Sequence, residues 1–161
     1  MRNGNKISRF FRTNLALMFF LGSFVPVQTE QIQPETIIQY PIQIGYVSQG
    51  YSIFHPALDI AAPKGTEIKP IKDGVVEDVS RSKIGYGNAI VVDHGNGIKS
   101  LYAHLSKIEA NKGDKVTVLD TIGNVGTTGR STGPHLHIEV RKNGIPFNPF
   151  AVLPTLASSR L

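Results

Sequence analysis

Five histidines, His55, His94, His104, His135 and His137, are the residues of this 161-residue chain best suited to chemistry at neutral pH. The tightest grouping is GPHLHIEV, residues 133–140. As a strand, this segment would project His135 and His137 together while Leu136 and Ile138 face the other way. The two histidine Cα atoms would lie about 7 Å apart, close enough for one ring to bind a metal and the other to carry a proton. A second grouping is FHPALDIAAP, residues 54–63, with His55 and Asp59 four apart. In an extended stretch that even spacing puts an imidazole and a carboxylate on one face, and both are ordinary zinc donors. Each grouping alone has a plain explanation: solvated histidines on an edge strand, or an aspartate capping a turn. Together they are stronger. A catalytic zinc takes three protein ligands and keeps one position open, and two histidines with one carboxylate meet that count. His104, in SLYAHLS, adds a further imidazole. With no cysteine in the chain, disulfides and thiolate ligands are excluded.

The elements that must position these groups are short strands. The best candidates run over Thr66–Pro70, Gly74–Ser80, Ala89–His94, Lys99–Leu105, Lys115–Val118 and His135–Arg141. GVVEDVS and AIVVDH have the β-branched enrichment of strands, while HGNG (94–97) and KNG (142–144) supply turns. No part of the compact region carries a long helical period, and the strands are too frequent for a βαβ pattern. The expected class is all-β: a compact antiparallel sandwich or barrel-like domain with short strands and long loops lining a groove. Glycines at 85, 87, 95, 97, 123, 126, 129 and 133 allow tight turns and close backbone approach around it.

With these motifs in place, the sequence from about Tyr46 to Pro149 resembles the lysostaphin-type, or LytM, zinc endopeptidases, which share a β-rich fold with the duplicated hybrid motif proteins. The likeness rests on HPALDIAAPKGTEI, YGNAIVVDHGNGIKSLYAHL, IGNVGTTGRSTGPHLHIEVRKNG and the closing Asn148-Pro149. The resemblance implies one Zn²⁺ held by His55, Asp59 and His137. It implies that His104 and His135 are the two catalytic histidines that do not bind metal, and that His94 sits at a turn with no catalytic role. Arg130, Ser131 and Thr132 would shape a loop beside the groove. The activity implied is hydrolysis of peptide bonds in bacterial peptidoglycan, at a cross-bridge or in a stem peptide. Two positions depart from the family pattern: Ala57 stands where glycine is frequent, and Leu119-Asp120 replaces a turn glycine. Neither is a ligand position, so they bear on turn geometry.

Charge and composition bound the remaining classes. The net charge is +5, but four of the 17 basic residues are Arg2, Lys6, Arg9 and Arg12, ahead of the first acid, Glu30. The rest carries 13 basic against 12 acidic side chains, without a clustered basic groove, so nucleic acid is not an expected partner. Leu15–Val27 is an apolar run of thirteen residues behind that basic flank, the pattern of an export signal. Residues 1–27 are therefore expected to be a signal peptide or an N-terminal membrane anchor. Residues 28–45, rich in Gln with Pro34 and Pro41, are expected to be a tether, residues 46–150 the peptidase domain and residues 151–161 a tail. The chain is expected to act outside the cytoplasmic membrane. The principal alternative is a non-catalytic wall-binding or hydrolase-activating module, which in degenerate relatives lacks ligand residues. A biotinyl or lipoyl carrier would need a modifiable lysine presented in a tight hairpin, a setting Lys99 and Lys115 lack. Oligomeric state is not legible.

Overall fold

The computed structural model describes residues 37–154. The expected signal or anchor at 1–27 and the tether up to residue 36 lie outside the described residues. Eleven strands and one short 3₁₀ turn are present among the described residues. The larger, antiparallel sheet has the order β1 (Tyr46–Gln49), β2 (Leu58–Ala61), β10 (His135–Lys142), β6 (Ile98–Ala103), β5 (Ala89–Asp93), β4 (Gly74–Ser80), β8 (Lys115–Val116), and β11 (Ile145–Phe147) also pairs with β10. A second sheet runs β3 (Glu67–Ile68), β9 (Gly123–Asn124), β7 (Lys107–Ile108). The all-β, antiparallel expectation holds, and all six expected strands occur, several of them shorter than the sequence suggested. The strands not foreseen are two to four residues long, too short to show a period, and β2 is nearly buried throughout, which erases alternation.

Alternation along β10 organises the molecule. Leu136, Ile138 and Val140 are fully buried in one core with Leu58 and Ile60 of β2, Ile90 and Val92 of β5, Tyr102 of β6 and Ile68 of β3. Side chains from both sheets thus meet in a single apolar layer, the main stabilising feature of such a sandwich. The opposite face of β10 carries His135, His137, Glu139 and Arg141.

Two local expectations need correction. Residues 39–42 are not simply tether: Gln39 N–H donates to Ile71 O, and Ile42 is buried with Tyr40 packed on the core. Leu153 and Val152 likewise pack on the core at the start of the expected tail. His94 does sit at the turn after β5, away from the site, and is buried there at 7% exposed. Its Nδ1 lies 3.0 Å from Asp73 O, and Ser100 Oγ bridges its Nε2 (2.7 Å) to the Tyr102 hydroxyl (2.8 Å). At Leu119-Asp120 the missing glycine is replaced by chemistry: the Asp120 carboxylate accepts from Thr117 N–H at 2.7 Å and closes the turn.

Candidate active site

Strand register creates the centre of the site. His137 of β10 lies between Asp59 of β2 and Ala103 of β6 as direct cross-strand partners. Ala103 is small enough to leave room, and His137 Nδ1 comes within 2.7 Å of Asp59 Oδ1. His55 arrives differently from the extended geometry expected. Ser52 and His55 exchange backbone hydrogen bonds across a tight turn, and Ala57 N–H donates to His55 O, so the chain doubles back before β2 begins. That turn sets His55 Nε2 3.1 Å from Asp59 Oδ2. One donor atom from each of His55, Asp59 and His137 lies within 4.8 Å of the others, an arrangement that can hold a metal ion.

The other two histidines close around this trio. The His104 ring centroid is 4.8 Å from that of His135 and 5.5 Å from that of His137. On β6 the alternation would send His104 towards the core after Ala103. Instead His104 takes a left-handed backbone, φ 63°, which turns its ring to the site and lets Leu105 fill the core. Left-handed φ costs an ordinary residue on the order of 1–2 kcal/mol. His104 Nδ1 donates to Thr128 O at 2.8 Å, and His135 Nδ1 to Gly133 O at 2.8 Å. In each neutral ring this leaves Nε2 as a bare acceptor. Loop 126–132 is pressed against His104 by glycine. A Cβ on Gly129 would fall 2.3 Å from Gly87 N, and Gly129 and Gly87 have φ of 71° and 65°. The sequence groupings thus converge: His55, Asp59, His104, His135 and His137 share one site, and His94 is elsewhere.

The same residues carry a family match. Residues 53–149 fit the family model described as Peptidase family M23. The chain belongs to peptidase family M23. The M23 domain is 52% identical over 102 residues to the DD-carboxypeptidase/endopeptidase Mpg of Neisseria meningitidis, an alignment covering 63% of this chain and 23% of that protein. It is 44% identical over 105 residues to the peptidoglycan DD-endopeptidase ShyA of Vibrio cholerae, covering 65% and 24%. A solved zinc-containing peptidase from Vibrio cholerae superposes with a TM-score of 0.68 at 32% identity, over 74% of this chain and 41% of that one. The chain therefore spans about a quarter of the length of these curated relatives.

In the M23 domain, the electrostatics favour a cation at the trio. Burial opposes charge on His137, yet hydrogen bonds to Asp59 and Glu139 and their charges raise its pKa to about 9. Burial likewise opposes ionisation of Asp59, but the His137 hydrogen bond and the surrounding imidazoles hold its carboxyl below the usual range. A site that retains a proton this firmly between carboxylates suits a metal ion in its place, and binding would release that proton. His104 is pushed the other way, first by burial and then by His135 and His137, so its ring is neutral at pH 7. The trio opens on a groove of about 710 Å³ whose walls include Gln49, Phe54, Tyr86, Arg130, Ser131 and Thr132. The loop at 130–132 thus lies where the resemblance implied. Sequence reasoning missed Glu139 and Tyr86. Glu139 is 2% exposed, lies 3.4 Å through Oε1 from His137 Nε2, and accepts hydrogen bonds from Tyr86 and Arg141. A signal existed: Glu139 follows His137 at the even spacing that keeps strand side chains on one face.

Proposed function

We propose that the chain is a zinc-dependent endopeptidase that hydrolyses peptide bonds in bacterial peptidoglycan, with His55, Asp59 and His137 as zinc ligands and His104 and His135 as the catalytic histidines. The observation that carries this reading is the convergence of five groups in two kinds. Three present donor atoms to one point, and two turn Nδ1 to a backbone carbonyl with their rings beside it. Zinc supplies a Lewis acid that polarises the scissile carbonyl and makes water a stronger acid. Around it, one of His104 and His135 accepts the proton of the attacking water at Nε2, and the other, in its protonated form, donates from Nε2 to the developing oxyanion. The proton taken from water ends on the leaving amine, which balances the hydrolysis. Thr128 O and Gly133 O engage both Nδ1 protons, so each ring meets the reaction through Nε2, which accepts when the ring is neutral and donates once it is protonated. The names of Mpg and ShyA favour a D,D peptide cross-link as the bond cut. The basic flank and apolar run of residues 1–27 support export, with the segment either cleaved or retained as an anchor.

Metal content and digestion of purified peptidoglycan, measured with and without a chelator, test the reading together. One zinc per chain and release of cross-linked peptides only in the metal-loaded state are expected. Stoichiometric zinc without digestion would favour the wall-binding alternative; no zinc would remove the metallopeptidase reading.

A further inference from the structure

The four histidines of the site are not held alike. His55, His104 and His135 each turn Nδ1 towards a backbone carbonyl, those of Gly50 (3.3 Å), Thr128 and Gly133 (2.8 Å each), which leaves Nε2 facing the site. His137 is reversed. Its Nδ1 faces Asp59 and the metal position, and its Nε2 faces the Glu139 carboxylate. We infer that Glu139 is a positioning residue that fixes His137 in the opposite tautomer, with Nε2 protonated and Nδ1 as the ligand atom, and that Tyr86 and Arg141 hold Glu139 in place. This rests on the zinc-peptidase reading above.

The surroundings of Glu139 support the assignment. Arg141 Nε and Nη2 donate to Oε2 at 2.8 and 2.5 Å, while the Tyr86 hydroxyl donates to Oε1, the oxygen nearest His137. The three donated hydrogen bonds on this buried carboxylate all suit its ionised form. An ionised acceptor in this position forces a proton onto the facing nitrogen and raises the basicity of the other, which is what a metal ligand needs. The other face of β10 is packed in the core, and Ala103 is too small to orient the ring. Tyr86 links the two halves of the site. Its hydroxyl braces Glu139, and its backbone carbonyl accepts the His104 N–H at 2.9 Å, at the residue with left-handed backbone. With its hydroxyl committed to Glu139, Tyr86 is left to position and not to donate to substrate.

Long-range ¹H–¹⁵N correlation spectra of the zinc-loaded full chain read the tautomers directly. The expected result is a protonated Nε2 on His137 and a protonated Nδ1 on His55. Zinc bound through Nε2 of His137 would overturn the inference while leaving the zinc-peptidase reading intact; no zinc bound at all would overturn both. Zinc affinity, measured by competition with a chromophoric chelator, gives the second readout. Replacing the carboxylate in Glu139→Gln is expected to weaken zinc binding about 10–100-fold, and Tyr86→Phe to weaken it by a smaller factor, in protein that remains folded by circular dichroism. Unchanged affinity in folded Glu139→Gln would overturn the positioning role.

Discussion

At the scale of single residues, the proposed function separates holding from reacting. Asp59 and His137 are paired across strands and His55 leans on Asp59, so removing one leaves the others without a third donor. His137→Ala and Asp59→Ala are expected to lose bound zinc and activity together, seen by metal analysis and by peptidoglycan digestion. His104 contacts the trio through its ring but directs Nδ1 to Thr128. His104→Ala is therefore expected to keep its zinc and lose about 10²–10⁴-fold in kcat. Release of zinc by His104→Ala as readily as by His137→Ala would reverse the assignment. The left-handed φ of His104 adds a stability test. His104→Gly is expected to unfold at higher denaturant than His104→Ala, by about 1 kcal/mol, because glycine takes that conformation without strain.

At the scale of elements, β10 and the loops around it divide the work. β10 alternates core and site residues, and its register with β2 and β6 sets Asp59, His137 and Ala103 side by side. The loops at 84–88 and 126–132 cross where Gly87 and Gly129 touch backbone to backbone, and Thr128 between them carries the carbonyl that orients His104. Gly129→Ala is expected to push these loops apart, since its Cβ would meet Gly87 N at 2.3 Å on a backbone with φ 71°. Activity should fall by at least the amount expected for His104→Ala, while zinc, whose proposed ligands stand on β2, β10 and the turn before β2, should remain. Loss of zinc in this variant would mean the loops also support the trio. Sequence spacing foresaw the common face of His135 and His137. It did not foresee the turn at Ser52–His55, because the even spacing to Asp59 suggests an extended stretch that the chain does not form.

For the molecule as a whole, the buried His94–Ser100–Tyr102 network makes stability sensitive to acid. His94 is buried with a lowered pKa, chiefly because burial disfavours its charged form. The unfolded chain takes up a proton at His94 near pH 6.5, where the folded chain resists it. Stability from this residue is thus fully present above that pH and is lost progressively as the pH falls below it. Urea unfolding from pH 8 to pH 5 is expected to show this loss in the wild type, with a shallower slope in His94→Gln; equal slopes would assign the acid sensitivity to other groups.

How much of this was legible in advance follows from the range of each interaction. Donor types, the absence of thiolate, the short β-branched strands and the alternation at His135–His137 are local properties, and the sequence alone carried them. The pairing of Asp59 with His137 joins residues 78 positions apart. Strand register decides such a contact, and register is set by packing both faces of the sheet at once. The same holds for the left-handed turn at His104, the burial of His94 and the carboxylate of Glu139 behind His137, each fixed by neighbours that only the folded chain brings near.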